Sequence, residues 1–169
     1  MQRAVESQLA CSKPTATPSK IVITVGLPGS GKTTYLARLG VNAISSDEIR
    51  RLLADDPSEQ SIHDRVFATI RYLVRQRIAV GRPATYVDAT HLTRWERRPY
   101  VQLARRYGCT LEALYFDVPV EICIRRNRKR HRIVPDQAIR AMADRLEPPT
   151  KKEGFKRIQR IVSIVDLAR

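Results

Sequence analysis

Residues 26–34 read GLPGSGKTT, and few short stretches restrict a fold as tightly. Gly26, Gly31, Lys32 and Thr33 fill every fixed position of the pattern G-x-x-x-x-G-K-[ST]. A β-branched run, Ile21 to Val25, precedes the pattern. A helical pattern with Tyr35, Leu36 and Leu39 apolar follows it. In a strand–loop–helix unit of this kind the glycines let backbone N–H groups turn inward around a phosphate. The helix N-terminus adds its dipole. The whole loop, Gly26, Leu27, Pro28, Gly29, Ser30, Gly31, Lys32, Thr33 and Thr34, is expected to hold a nucleoside triphosphate. Lys32 should span its β- and γ-phosphates, and the Thr33 hydroxyl should bind Mg²⁺. No N-K-x-D guanine signature occurs, which favours ATP or a broad nucleoside triphosphate site over a dedicated GTPase.

The rest of the chain repeats the strand–helix alternation. Further strands are predicted at 42–45, 85–88, 111–116 and 161–165. Helices are predicted from Gly31, from Ser46, over 59–80, over 94–107, and from Pro119 and Pro135. The third carries Ile62, Val66, Ile70 and Leu73 on one stripe, and the fourth follows a Thr93-x-x-Glu96 capping pattern. This order predicts an α/β fold of the P-loop, nucleoside-monophosphate-kinase-like type. It has a five-stranded parallel sheet, helices on both faces and a helical lid over 119–146. Residues 1–19, which mix Ser, Thr, Pro and Lys without a sustained apolar period, read as a flexible tail, leaving 20–169 as one kinase domain.

Ligands in such sheets bind at the carboxyl ends of the strands. The second strand ends in SSDEIR. Asp47 there is placed to accept a hydroxyl proton during attack on the γ-phosphorus, and Arg50 to hold an acceptor phosphate. The same residues equally make a capping box, Ser45-x-x-Glu48, and an i,i+3 ion pair. Asp88 ends the third strand, where a carboxylate can hold Mg²⁺ or orient catalytic groups. Thr90 follows it on the acceptor side. His91 could contact an acceptor but, as a lone histidine, reads first as structural, and Trp95 reads as core rather than as a platform for stacking bases. Residues 119–132, PVEICIRRNRKRHR, crowd Arg125, Arg126, Arg128, Lys129, Arg130 and Arg132 onto one end. Arg126 and Arg130, four apart on one helical face, can reach a triphosphate from a lid.

Thirty-one Lys and Arg against 17 Asp and Glu give a net charge of +14, a balance that favours polyanionic partners. Three cysteines stand without pairing or metal spacing, and no apolar run approaches a membrane span. The expected setting is cytoplasmic, with no signal peptide and no membrane partner.

Taken together, residues 20–147 resemble the 5′-hydroxyl polynucleotide kinase family, the kinase module of nucleic-acid end-repair enzymes. The resemblance rests on GLPGSGKTT, SSDEIR, VDATHLTRWERR and FDVPVEICIRRNRKRHRIVPDQAIRAM. It implies ATP and Mg²⁺ as cofactors and transfer of the γ-phosphate to a 5′-hydroxyl of DNA or RNA. Lys32, Asp47, Arg126 and Arg130 would be catalytic. Asp47 would be the general base, and Arg50 would bind the acceptor's phosphate. Asp88 would be an active-site carboxylate. No D-x-D-x-T phosphatase motif appears, so any phosphatase or ligase would be a separate chain. Two other readings stay open: a kinase for a small alcohol such as a sugar, nucleoside or antibiotic, and a nucleotide-gated nucleic-acid-binding module.

Overall fold

The structure is a computed structural model and describes residues 19–57 and 59–162. The tail read over 1–19 therefore lies almost wholly outside the described residues. Five strands form one sheet: β1 (Lys20–Val25), β2 (Ala43–Ser45), β3 (Ala84–Asp88), β4 (Thr110–Phe116) and β5 (Arg157–Ile161). Their order is β2-β3-β1-β4-β5 and every neighbouring pair is parallel. β1 and β4 read as near-continuous apolar runs because both of their faces are covered. On one face Ile21, Ile23, Val25, Leu111 and Ala113 pack with Val66, Ile70 and Val74 of α3 (His63–Ala79) and Tyr100, Val101 and Ala104 of α4 (Arg94–Tyr107). On the other, Val22, Leu114 and Phe116 pack with Tyr35 and Leu36 of α1 (Lys32–Arg38).

Two expected elements move by more than a residue. The fifth strand is at 157–161, not 161–165, and residues 163–165 lie outside the described ones. β5 is an edge strand with Arg157 and Arg160 exposed and Ile161 buried, so it carries charge where an apolar run was sought. The third helix starts at His63 rather than at 59, because the Glu59 carboxylate accepts the Ser61 N–H, 2.8 Å, in a turn.

Two further helices lie over the phosphate loop: α5 (Val120–Asn127) and α6 (Asp136–Arg145). Cys123, Ile124 and Ile139 bury themselves against Leu27 of the loop and Leu92. This apolar cluster seats the lid helices on the loop. The fit is close at Gly29, where a Cβ would fall 2.2 Å from the Cys123 carbonyl oxygen and φ is +81°. Only glycine meets both demands.

Candidate active site

The carboxyl ends of β1, β2 and β3 open together onto a cleft of about 420 Å³. Each brings one part of the expected site. After β1 the loop contributes Pro28, Gly29, Gly31, Lys32, Thr33 and Thr34 to the wall. Gly26, Leu27 and Ser30 stand behind it. The Gly26 N–H donates to the Thr90 carbonyl, 2.9 Å, and the Leu27 side chain is buried in the lid cluster. Lys32 is nearly buried, and its Nζ donates to the carbonyls of Gly26, 3.0 Å, and Leu27, 2.7 Å. Burial pushes the ammonium pKa down to about 8, against the pull of Asp88, and Arg130 lowers it further.

β3 delivers Asp88, whose carboxylate accepts the Thr33 hydroxyl at 2.7 Å. Two hard oxygen donors thus meet at the foot of α1. Among the described residues no group of three or more His, Cys, Asp or Glu is placed to hold a metal. A magnesium ion suits this donor set, since it takes one or two protein oxygens and completes its shell with water and substrate phosphates.

β2 runs into α2 (Ser46–Ala54), and the Ser45 hydroxyl accepts the Glu48 N–H at 3.4 Å, so the expected cap is present. It does not consume Asp47, which lines the cleft. The Asp47 carboxylate accepts from Arg50 at 3.3 Å and from Arg132 at 2.5 Å. Arg50 is 4% exposed, and its Nε has no hydrogen-bond partner among the described residues. Burial and the Arg132 charge both lower its pKa.

Arg126 and Arg130 both line the cleft, but not as neighbours on one helical face. α5 ends at Asn127, and Arg130 belongs to the turn that follows, its N–H donating to the Asn127 carbonyl at 3.0 Å. Arg126 Nη1 is buried without a partner among the described residues. Buried guanidinium N–H groups aimed into a cleft are strong donors for phosphate oxygens.

Several residues of the site were not legible in the sequence. Arg132 stood in the basic run without a role of its own. Asn127 is fully buried; its Nδ2 donates to the Val134 carbonyl, 2.7 Å, and its Oδ1 accepts the Val134 N–H, 3.2 Å. That one side chain clamps both ends of the turn bearing Arg130 and Arg132. His63 and Phe67 of α3 line the cleft as well. Arg97 is fully buried and donates to the carbonyls of His91, Leu92 and Glu147 and to the Glu153 carboxylate, 2.8 and 3.0 Å. It fixes the segment after β3 from behind. His91 is structural as expected: its Nδ1 donates to the Thr24 carbonyl at 2.8 Å. Trp95 is not core. It is 75% exposed on the outer face of α4.

Comparison with known proteins agrees with this architecture. The family described as AAA domain matches residues 21–149. The L-seryl-tRNA(Sec) kinase of Mus musculus is 34% identical over 77 residues, 45% of this chain and 21% of that protein. The chain thus spans about a fifth of the length of this curated relative. A chain in the structure of the Pnkp1/Rnl/Hen1 RNA repair complex superposes with a TM-score of 0.67 at 24% identity, covering 79% of this chain and 46% of the other. Chaetomium thermophilum Kti12, in complex with ADP-AlF3, superposes with a TM-score of 0.64 at 18% identity, covering 88% and 92%. The fold is that of a P-loop kinase.

Proposed function

The chain belongs to the AAA domain family, and from that premise we propose that it transfers the γ-phosphate of ATP to a 5′-hydroxyl end of RNA. The observation that carries this reading is Asp47, a carboxylate in the cleft flanked by Arg50 and Arg132. It lies in the same cleft as the Thr33–Asp88 pair. A carboxylate suits a hydroxyl that must lose its proton. Guanidinium groups beside it suit an acceptor that carries a phosphodiester next to that hydroxyl. Two of the similar proteins bear RNA in their names, a seryl-tRNA kinase and an RNA repair complex, which supports RNA over DNA.

In this reading the loop amides and Lys32 bind the triphosphate, and the ammonium leaves the Gly26 and Leu27 carbonyls for phosphate oxygens. Thr33 and Asp88 would hold Mg²⁺, which would supply positive charge to offset that of the triphosphate. Asp47 accepts the proton of the attacking hydroxyl. Arg126 and Arg130 donate to the oxygens of the transferring group, whose charge spreads as it moves. Arg50 orients the acceptor, and Arg132 is released from Asp47 as the acceptor enters. The seated lid excludes water, which would otherwise compete as acceptor.

A cleft of about 420 Å³ also admits a small alcohol. The two readings separate in one assay. With γ-labelled ATP, an oligoribonucleotide ending in a 5′-hydroxyl takes up label, and the same strand already phosphorylated at its 5′ end does not. Label on neither strand, with turnover on a sugar or nucleoside, would withdraw the RNA reading.

A further inference from the structure

A second concave surface lies outside the cleft, between α3 and α4. It is a groove of about 740 Å³. α3 lines it with Asp64, Arg71 and Arg75, and α4 with Trp95, Arg98 and Arg106. The spacings, four and seven along α3 and three and eight along α4, set each group on one stripe of its helix. Four guanidinium groups thus face one carboxylate. None of the four forms a salt bridge among the described residues. Among them stands Trp95, its ring face 5.7 Å from the Arg98 guanidinium.

Folding gains little from this surface, beyond the stacking of Arg75 on Tyr72, Arg98 on Trp95 and Arg106 on Tyr107. An indole that is 75% exposed buries little apolar area. Unpaired arginines facing each other across a groove repel. Together they form a basic track with an aromatic plane on it, the two elements that grip a single strand: charge for the phosphates, a flat ring for a base. The groove also has a direction. His63 and Phe67 of α3 line the active-site cleft, while Asp64, Arg71 and Arg75 of the same helix line the groove. A strand whose 5′ end enters the cleft meets this helix next.

We propose that the α3–α4 groove is a docking track for the body of a single-stranded RNA whose 5′ end is in the cleft, with a base stacked on Trp95 and phosphates on Arg71, Arg75, Arg98 and Arg106. The proposal rests on the RNA reading of the cleft for its polarity, but its test does not depend on turnover. Trp95 is the sole tryptophan of the chain, so its fluorescence reports the groove directly. A 20-nucleotide single-stranded RNA should quench that fluorescence on binding. The Arg75→Glu/Arg98→Glu variant, altered at two exposed positions, should bind it about tenfold or more weakly by anisotropy. Its dependence of log K on log salt should be shallower by about 1.4, for two phosphate contacts removed. Trp95→Ala should weaken binding by about fivefold or more. A 5′-hydroxyl dinucleotide, too short to reach the groove, should be phosphorylated by both variants with unchanged kcat and KM. Quenching and the affinity losses without any phosphorylation would keep the groove and sink the acceptor reading. Phosphorylation with no quenching, and equal affinity in wild type and Arg75→Glu/Arg98→Glu, would overturn the groove and leave the cleft reading intact. Equal loss of activity on the dinucleotide and the 20-mer would also overturn it, by placing these residues in the active site.

Discussion

Arg132 Nη1 lies 2.5 Å from the Asp47 carboxylate, joining the turn between the lid helices to the helix after the second strand across 85 residues of sequence. In the proposed reaction this carboxylate takes the hydroxyl proton and Arg132 passes to the acceptor's phosphodiester, so the contact gives the lid turn a resting place over that half of the cleft. Arg132→Ala should leave ATP affinity within about twofold and lower kcat/KM for the acceptor by about tenfold, the scale of one charge-assisted hydrogen bond discounted for partial exposure. Steady-state kinetics varying each substrate in turn checks the split. A loss confined to ATP would move Arg132 to the donor half.

Lys32 gives a pH signature. Its pKa in the free protein is lowered to about 8 from 10.5. Triphosphate binds the charged form, so nucleotide affinity should fall as pH rises through about 8, by up to about tenfold per unit. Free of nucleotide, the unfolded chain holds the proton up to about 10.5 while the folded chain releases it near 8. The unfolded state binds more protons in that window, so stability rises across it, by on the order of 3 kcal/mol in total. Lys32→Met should lose both trends. Calorimetric titration with a non-hydrolysable ATP analogue at pH 7 to 9.5 measures the first.

His91 predicts acid lability. Burial lowers its pKa to about 4 from 6.5, only partly opposed by the Thr24 hydrogen bond. As pH falls below 6.5 the unfolded chain takes up a proton that the folded chain refuses until about 4. Stability is lost across that window, by about 3 kcal/mol. His91 has φ +43°, a conformation asparagine tolerates. His91→Asn should flatten the fall in Tm between pH 6.5 and 4.5. An unchanged slope would assign the acid sensitivity to carboxylates instead.

Gly29→Ala should cost both fold and ligand. The new methyl would sit 2.2 Å from the Cys123 carbonyl oxygen at a φ of +81°. The lid helix has to shift, with a loss of about 2 kcal/mol or more. Thermal unfolding and nucleotide titration should fall together. Wild-type values in both would mean that the lid is not seated on the loop.

What could be read in the sequence follows from how local each signal is. The phosphate loop, β1 to β4 and the frame of α4 were legible because each is announced by contiguous residues: glycines at fixed spacing, buried apolar runs, the Thr93 cap. Asp47, Arg50 and Asp88 were legible because parallel sheets place strand ends together. A fifth strand was expected but its bounds were misplaced to 161–165, because an edge strand shows arginines on its open side. Arg130 was read as a lid residue sharing a helical face with Arg126, which it does not, and Arg132 only as charge. α5 stops at Asn127, and the shape of the turn beyond depends on the Asn127–Val134 clamp, which nothing in the local pattern marks. Trp95 was misplaced because a tryptophan is usually buried. Only the tertiary arrangement of α3 and α4 shows that its side of the helix is left open.

The proposed base is tested by comparing wild type and Asp47→Asn for transfer from γ-labelled ATP to a 5′-hydroxyl oligoribonucleotide, with ATP and RNA affinities measured beside it. If Asp47 takes the proton of the RNA 5′-hydroxyl, wild type labels the RNA and kcat falls about 10²-fold or more in the variant, with both affinities nearly kept. Equal transfer by the two proteins would leave Asp47 as no more than a first-turn residue of α2 and rule it out as the base.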